Sequence, residues 1–168
     1  MQAKARREDI LNTLRRADQP VSAGSLAADF SVSRQVIVGD IALLRASGAE
    51  ISATPRGYVM RKAETGLIRK VATRHSAEAM EAELNAIVDQ GCTVLDVIVE
   101  HPIYGQLTGP LDLSSRYDVS QFIARSAEAR PLSILTEGIH LHTLSCPDEE
   151  AFRRCETQLR AMGVLLEE

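Results

Sequence analysis

The most constraining stretch of this chain is LAADFSVSRQVIVGDIALLRASG, residues 26–48. It places a tight polar turn, Ser31-Val32-Ser33, between two apolar-periodic segments. Ser33 is a good helix N-cap, because its hydroxyl can accept a hydrogen bond from one of the orphan backbone N–H groups of a first turn. Gly48 is the matching stop, since glycine adopts the left-handed conformation of a helix end at little cost. The segment between them is expected to bury Val36, Ile37, Ile41 and Leu44. Upstream, ARREDILNTLRRA carries Ile10, Leu11 and Leu14 at helical spacing, and Asp18-Gln19-Pro20 ends it. Ser22 opens a short helix with Leu26, Ala27 and Phe30 on one face. Downstream, EISAT, Pro55-Arg56-Gly57 and YVMR read as strand, turn and strand. Three helices followed by a hairpin is the order of a winged helix-turn-helix.

Around residues 63–66 the pattern weakens, and the domain boundary is placed there, giving segments 1–62 and 63–168. The second segment alternates. LIRKVATR reads as a strand, and Ser76 as the cap of a helix that Gly91 ends. CTVLDVIVE and IYGQLTGPL read as strands separated by His101-Pro102. Residues 118–130 and 148–162 read as helices around the strand GIHLHTLSC, and VLLEE as a terminal edge strand. The whole is expected to be an α/β two-domain chain: a mainly α winged helix-turn-helix and an α+β sandwich with helices on a mostly antiparallel sheet.

Charge separates the same two segments. Residues 1–62 hold ten Lys/Arg against six Asp/Glu, a surplus of +4; residues 63–168 hold nine against seventeen, or −8, which together make the −4 of the whole chain. Phosphate attracts the first segment and repels the second. No apolar run approaches the roughly 18 residues of a bilayer span, and MQAKARREDILNTLRRA lacks an apolar leader core, so the chain reads as cytoplasmic. The three cysteines, Cys92, Cys146 and Cys155, have no CxxC spacing and read as small buried apolar residues.

In a helix-turn-helix the N-terminal residues of the second helix meet the base edges. Here these are Ser33, Arg34 and Gln35, with Val38 one turn on. Arg34 offers a planar donor fork for guanine or phosphate, and Gln35 can pair with an adenine edge. Arg56 at the hairpin tip suits the minor groove or the backbone. Lys4, Arg6, Arg7, Arg15 and Arg16 can contact phosphates, which position without reading sequence. The expected partner is double-stranded operator DNA; the alternative is a winged helix used for protein contacts.

All four histidines lie in the second segment. Strand alternation puts His140 and His142 on one face, with Ile139, Leu141 and Thr143 on the other. His75 sits at the end of the first strand of this segment, and Glu83 lies on the following helix. Packing of sheet and helix can bring all four groups together. Three imidazoles and a carboxylate suit zinc, nickel, cobalt or iron. A lone His-x-His pair is also common as a solvated or hydrogen-bonded pair, so spacing leaves both readings open. No HExxH, His-x-Glu with Pro-Cys-x-x-Cys, or GxSxG accompanies these residues, which argues against an enzyme.

The helix-turn-helix core Leu-Ala-x-x-Phe-x-Val-Ser-Arg-Gln is similar to that of many bacterial repressors. Three further stretches, RHSAEAMEAEL, VEHPIYGQLTGPLDLSSRYDV and GIHLHTLSC, resemble the NiaR family of niacin-responsive transcriptional repressors. That family joins a winged helix-turn-helix to a domain named for three histidines, and the resemblance covers nearly the whole chain. It implies a divalent transition metal, nickel or zinc before iron or cobalt, on residues mapping to His75, Glu83, His140 and His142. It places His101 at the remaining family histidine, bordering an effector pocket with Tyr104; the alternative is a turn histidine fixed by Pro102. It further implies a homodimer, with nicotinic acid as co-repressor of genes for niacin uptake or NAD synthesis. Two alternatives stand beside it: a repressor for which the metal itself is the effector, and a small metal-dependent hydrolase.

Overall fold

The computed structural model describes residues 2–61 and 66–167. Backbone contacts divide the chain into two units, residues 1–63 and 64–168. The boundary expected between 62 and 63 lies outside the described residues.

In the first unit, α1 (Ala3–Arg16), α2 (Ala23–Asp29) and α3 (Arg34–Ala46) precede the antiparallel hairpin of β1 (Ile51–Thr54) and β2 (Gly57–Met60). The two serine caps form as their positions require. Ser22 Oγ accepts from Ser25 N at 3.0 Å, and Ser33 Oγ from Val36 N at 3.3 Å. Ser31 takes a positive φ of 53°, so the chain reverses between α2 and α3. Ile10, Leu14, Leu26, Ile37, Ile41, Leu44 and Ile51 form the core. The hairpin is held against the segment before α2: Val21 and Tyr58 exchange backbone hydrogen bonds at 2.9 and 2.8 Å. Gly57 makes this approach possible, because a Cβ there would lie 2.5 Å from the Val21 carbonyl carbon.

Two expectations for this unit are corrected. Val36 is 37% exposed rather than inward. The buried stripe of α3 runs Ile37, Asp40, Ile41, Leu44, a helical repeat that leaves Val36 one step off the face. Asp40 fills the polar place in that stripe, and it takes Arg6 and Arg7 from solvent. Arg6 Nε lies 2.6 Å from Asp40 Oδ2 and Arg7 Nη1 lies 3.5 Å from Oδ1. These two arginines therefore tie α1 to α3 rather than standing free for phosphates.

The second unit runs β3 (Leu67–Arg74), a 3-10 turn (Ala77–Ala79), α4 (Met80–Val88), β4 (Thr93–His101), β5 (Gly105–Leu113), α5 (Arg116–Ser126), a 3-10 segment (Leu132–Thr136), β6 (Ile139–Cys146) and α6 (Glu149–Ala161). Its four strands form an antiparallel sheet in the order β3-β6-β4-β5. Residues of α4, α5 and α6 share one core with the sheet: Leu84, Ile87, Val119, Phe152 and Leu159 pack with Val71, Val94, Leu113 and Leu144. The three cysteines are free and buried in this core.

Several boundaries differ from expectation. Ser76 precedes the 3-10 turn but its side chain makes no cap bond. The strand expected over 103–111 is Gly105–Leu113, because Pro102 to Tyr104 form the turn. The helix expected over 118–130 begins two residues earlier, where Ser115 Oγ accepts from Asp118 N at 3.1 Å. Among the described residues the tail, 164–167, forms no strand. It bridges Leu165 to Thr73 alone, and Leu166 N donates to Ala72 O at 2.9 Å. Ladder register shifts along β4, between Val94 and Ile98 on the β6 side, so one extra β4 residue bulges out near Asp96.

Candidate metal centre and nucleic-acid interface

The β3–β6 register sets Thr73 opposite His140 and Val71 opposite His142. Both histidines therefore point to the buried side of the sheet and are 4% and 3% exposed, while Ile139 between sheet end and solvent is 43% exposed. β3 stops at Arg74, and His75 turns its ring inward, leaving 3% of the side chain exposed. Glu83, one turn into α4, is fully buried. The four groups meet around a single oxygen. Glu83 Oε2 lies 2.5 Å from His75 Nε2, 3.3 Å from His140 Nε2 and 3.4 Å from His142 Nε2. Ligand atoms of His75, Glu83 and His140 all lie within 4.8 Å of one another, and His142 closes the group through Glu83.

Each imidazole is oriented by a backbone carbonyl at its other nitrogen. His75 Nδ1 faces Ser76 O at 2.7 Å, His140 Nδ1 faces Gly138 O at 2.8 Å, and His142 Nδ1 faces Asp96 O at 2.7 Å. A carbonyl only accepts, so each Nδ1 carries a proton and each ring presents its Nε2 to the carboxylate; in the metal-free centre a proton on Nε2 makes the hydrogen bond to Glu83, and a metal ion would take that proton's place. The bulge in β4 frees the Asp96 carbonyl from the ladder for this role, and Asp96 Oδ1 also accepts from Thr143 N at 3.0 Å. The Thr73 hydroxyl, 3.0 Å from His140 Nε2, is the one neighbouring donor seen there among the described residues.

Lone pairs of three imidazoles and a carboxylate converging in a dry site call for positive charge. The titration of the groups reflects this. Burial opposes charging His75 and His142, yet the hydrogen bonds and charge of Glu83 outweigh it and hold both above the ordinary histidine value. Burial likewise opposes ionising Glu83, but the charge of His142 and the hydrogen bonds of the three imidazoles hold it well below the usual carboxylate range. The other oxygen, Glu83 Oε1, is buried without a hydrogen-bond partner among the described residues. An orphaned carboxylate oxygen beside three oriented imidazoles fits a divalent transition metal, for which this is a common donor set.

His101 behaves differently. Its Nδ1 accepts from the backbone N–H of Ile103 at 3.1 Å and of Tyr104 at 3.3 Å, and its ring lies 5.0 Å from that of Tyr104. It shapes the β4–β5 turn and takes no part in the hydrogen bonds around Glu83. Tyr104 is 73% exposed at that turn.

In the first unit, Ser33, Arg34, Gln35 and Val38 all lie exposed along the start of α3. Arg34 makes no ion pair among the described residues, so its guanidinium is available to a partner. Arg56 in the hairpin turn is half-buried and its Nη1 lies 3.4 Å from Gln19 Oε1. Sequence reasoning missed Asp40, Thr73, Asp96 and Gly138. Asp40 was detectable as a polar residue at an inward helical position; the other three depend on contacts between distant strands and turns.

A helix-turn-helix unit joined to a sheet-and-helix unit with a buried histidine–carboxylate centre defines a two-unit DNA-binding regulator. Comparison with known proteins agrees: an HTH domain family matches residues 6–59, and the 3H domain family matches residues 68–168. The chain is 46% identical to the probable transcription repressor NiaR of Thermotoga maritima, over 97% of this chain and 94% of that protein. It is 43% identical to the transcription repressor NadR of Bacillus subtilis, again over 97% and 94%. The chain belongs to the NiaR-type family of 3H-domain transcription repressors. It is therefore a DNA-binding regulator rather than an enzyme, and the hydrolase reading falls. No helix among the described residues is long and apolar enough to cross a membrane.

Proposed function

We propose that this protein is a niacin-responsive repressor of genes for NAD biosynthesis or niacin uptake. It binds operator DNA as a homodimer, with nicotinic acid as co-repressor and a nickel or zinc ion on His75, Glu83, His140 and His142. Ser33, Arg34, Gln35, Val38 and Arg56 form the DNA-facing set. The observation that carries the reading is the buried four-residue centre with its orphaned Glu83 Oε1, on a chain whose other unit is a helix-turn-helix. The metal, when bound, supplies the positive charge that the converging lone pairs lack. Ser76, Gly138 and Asp96 hold the three imidazoles in the metal-binding tautomer. A ligand shifts the DNA-binding equilibrium only by the difference in its affinity for the two states. Two-fold operators with regular half-site spacing favour a dimer.

The test is calorimetric titration of the full chain with nicotinate, with and without bound metal, joined to a gel shift on the protein's own upstream region. Binding of nicotinate by the metal-loaded protein, with a change in operator affinity, supports the reading. Failure to bind nicotinate overturns it. The burial of all four donors favours a second reading in which the ion itself is the effector. In that case metal alone changes operator affinity and nicotinate adds nothing.

A further inference from the structure

Cys92, Cys146 and Cys155 are the only cysteines of the chain, and the fold brings them to one place in the core of the second unit. Thr93 pairs with Ser145, so Cys92 and Cys146 are neighbours across the ends of β4 and β6. Cys155 comes from the buried face of α6, and its thiol donates to Ile87 O at 3.6 Å. The Cys92 thiol lies against both of the others and is the hub of the group. All three are free and at most 1% exposed. The charges of Arg69, Glu149 and Arg154 reach them, and those side chains are half-exposed, so the thiols lie one side chain beneath solvent. On the buried face of β6 the order is His140, His142, Leu144, Cys146. The thiols therefore start about 13 Å along the strand from His142, and none of them joins the hydrogen bonds around Glu83.

The surroundings select among the reactions open to such a group. Oxidation and the capture of an ordinary soft cation both proceed through thiolate. These thiols resist ionisation: the hydrogen bond with Cys155 and burial push Cys92 up, and burial and Cys92 push Cys146 up to about 12. A thiolate complex of a monovalent or divalent cation would also leave net negative charge in an apolar core. A neutral trivalent hydroxide avoids both costs. As(OH)3 exchanges its hydroxides for thiols: three As–S bonds form and three As–O bonds break. Each S–H proton leaves with a hydroxide as water, and arsenic stays trivalent. The product carries no charge, and the exchange needs no oxidant or reductant.

We propose that Cys92, Cys146 and Cys155 form a second, all-sulfur site, which takes a trivalent thiophilic element from its neutral hydroxide, with arsenite as the type. Sulfur donors at one end of β6 and nitrogen and oxygen donors at the other sort ions by softness. Loading joins β4, β6 and α6 through one atom.

The experiment adds arsenite alone to the full chain, kept reduced by a phosphine, and measures arsenic retained after desalting and its neighbours by X-ray absorption. Wild type is expected to hold stoichiometric arsenic with three sulfur neighbours. Cys92→Ala is expected to lose it, and Cys155→Ala to lose it or hold it weakly, with the circular dichroism of wild type in both. No retained arsenic in wild type, or fewer than three sulfur neighbours, overturns the site. Full retention by a folded Cys92→Ala overturns it as well. If the variants fail to fold, the sulfur count in wild type decides by itself.

Discussion

Replacing Gly138 by alanine tests whether the histidine centre depends on the turn that leads into β6. Gly138 has φ of 89°, and a Cβ there would lie 2.3 Å from His75 O and 3.1 Å from His75 C. Both atoms are backbone, so no side chain can swing aside. Gly105 supplies the control: it also has a positive φ, 69°, but a Cβ would meet nothing within 4 Å. A left-handed conformation costs a non-glycine residue about 1–2 kcal/mol, and both variants carry this. Gly138→Ala must in addition push the turn off His75, which strips the buried His140 Nδ1 of its 2.8 Å carbonyl acceptor. An unsatisfied buried donor costs about 1–3 kcal/mol, for a total of about 2–5 kcal/mol. Loss of an orienting carbonyl also weakens metal affinity, by about 10–100-fold. Urea unfolding and calorimetric metal titration of both variants read the two effects. Equal midpoints for the two variants, with metal affinity intact in Gly138→Ala, would refute the reasoning.

Other outcomes are expected as follows. Arg34→Ala should weaken operator binding by about 1–3 kcal/mol and relax base preference at one position if it reads a guanine; a gel-shift series with substituted operators checks this, and uniform weakening across all sequences would reassign Arg34 to phosphate. Asp40→Asn should lower the unfolding midpoint of the first unit and, by releasing Arg6 and Arg7, steepen the salt dependence of DNA binding; an unchanged slope would show that the two arginines never reach phosphate. Without metal, the second unit should be most stable in mildly acidic solution. His75 and His142 are raised above 6.5, so their contribution is complete below that value and is lost as pH rises through the raised folded values. Glu83 is lowered below 4.5, so its contribution is complete above that value and is lost as pH falls through the lowered one. Thermal melts in chelated buffer should therefore peak between about 4.5 and 6.5, and a flat profile would contradict the assigned contacts.

What was legible in the sequence was what local chemistry decides. Ser33 and Gly48 bound α3 because caps and stops act within one turn, and His140 and His142 share a face because strand alternation leaves no choice. Glu83 could be placed with His75 because a strand end followed by a helix start allows few packings. Val36 is one apolar residue beside the stripe and is hard to tell from one on it, and Asp40 is a polar residue in a stripe that periodicity defines by its apolar members. The 3-10 segment at 132–136 has no period to read. Ser115 and Asp118 carry an N-terminal cap pattern, but apolar spacing alone puts the helix start at Asp118, two residues past the observed one. The carbonyls of Asp96 and Gly138 belong to no side-chain pattern, since their roles arise only when β4, β6 and the chain at His75 come together.

The bulge in β4 has a consequence for how this family can vary. The residue that bulges near Asp96 is an insertion relative to a regular ladder, and it supplies the acceptor for His142 Nδ1. Side-chain changes along β4 leave that carbonyl in place, because it belongs to the backbone. Deleting a single residue there would realign β4 with β6 but widen the register break that β4 already has with β5 between Val94 and Asp96. Relatives that keep the histidine centre should therefore differ freely in composition along this strand and hardly at all in its length.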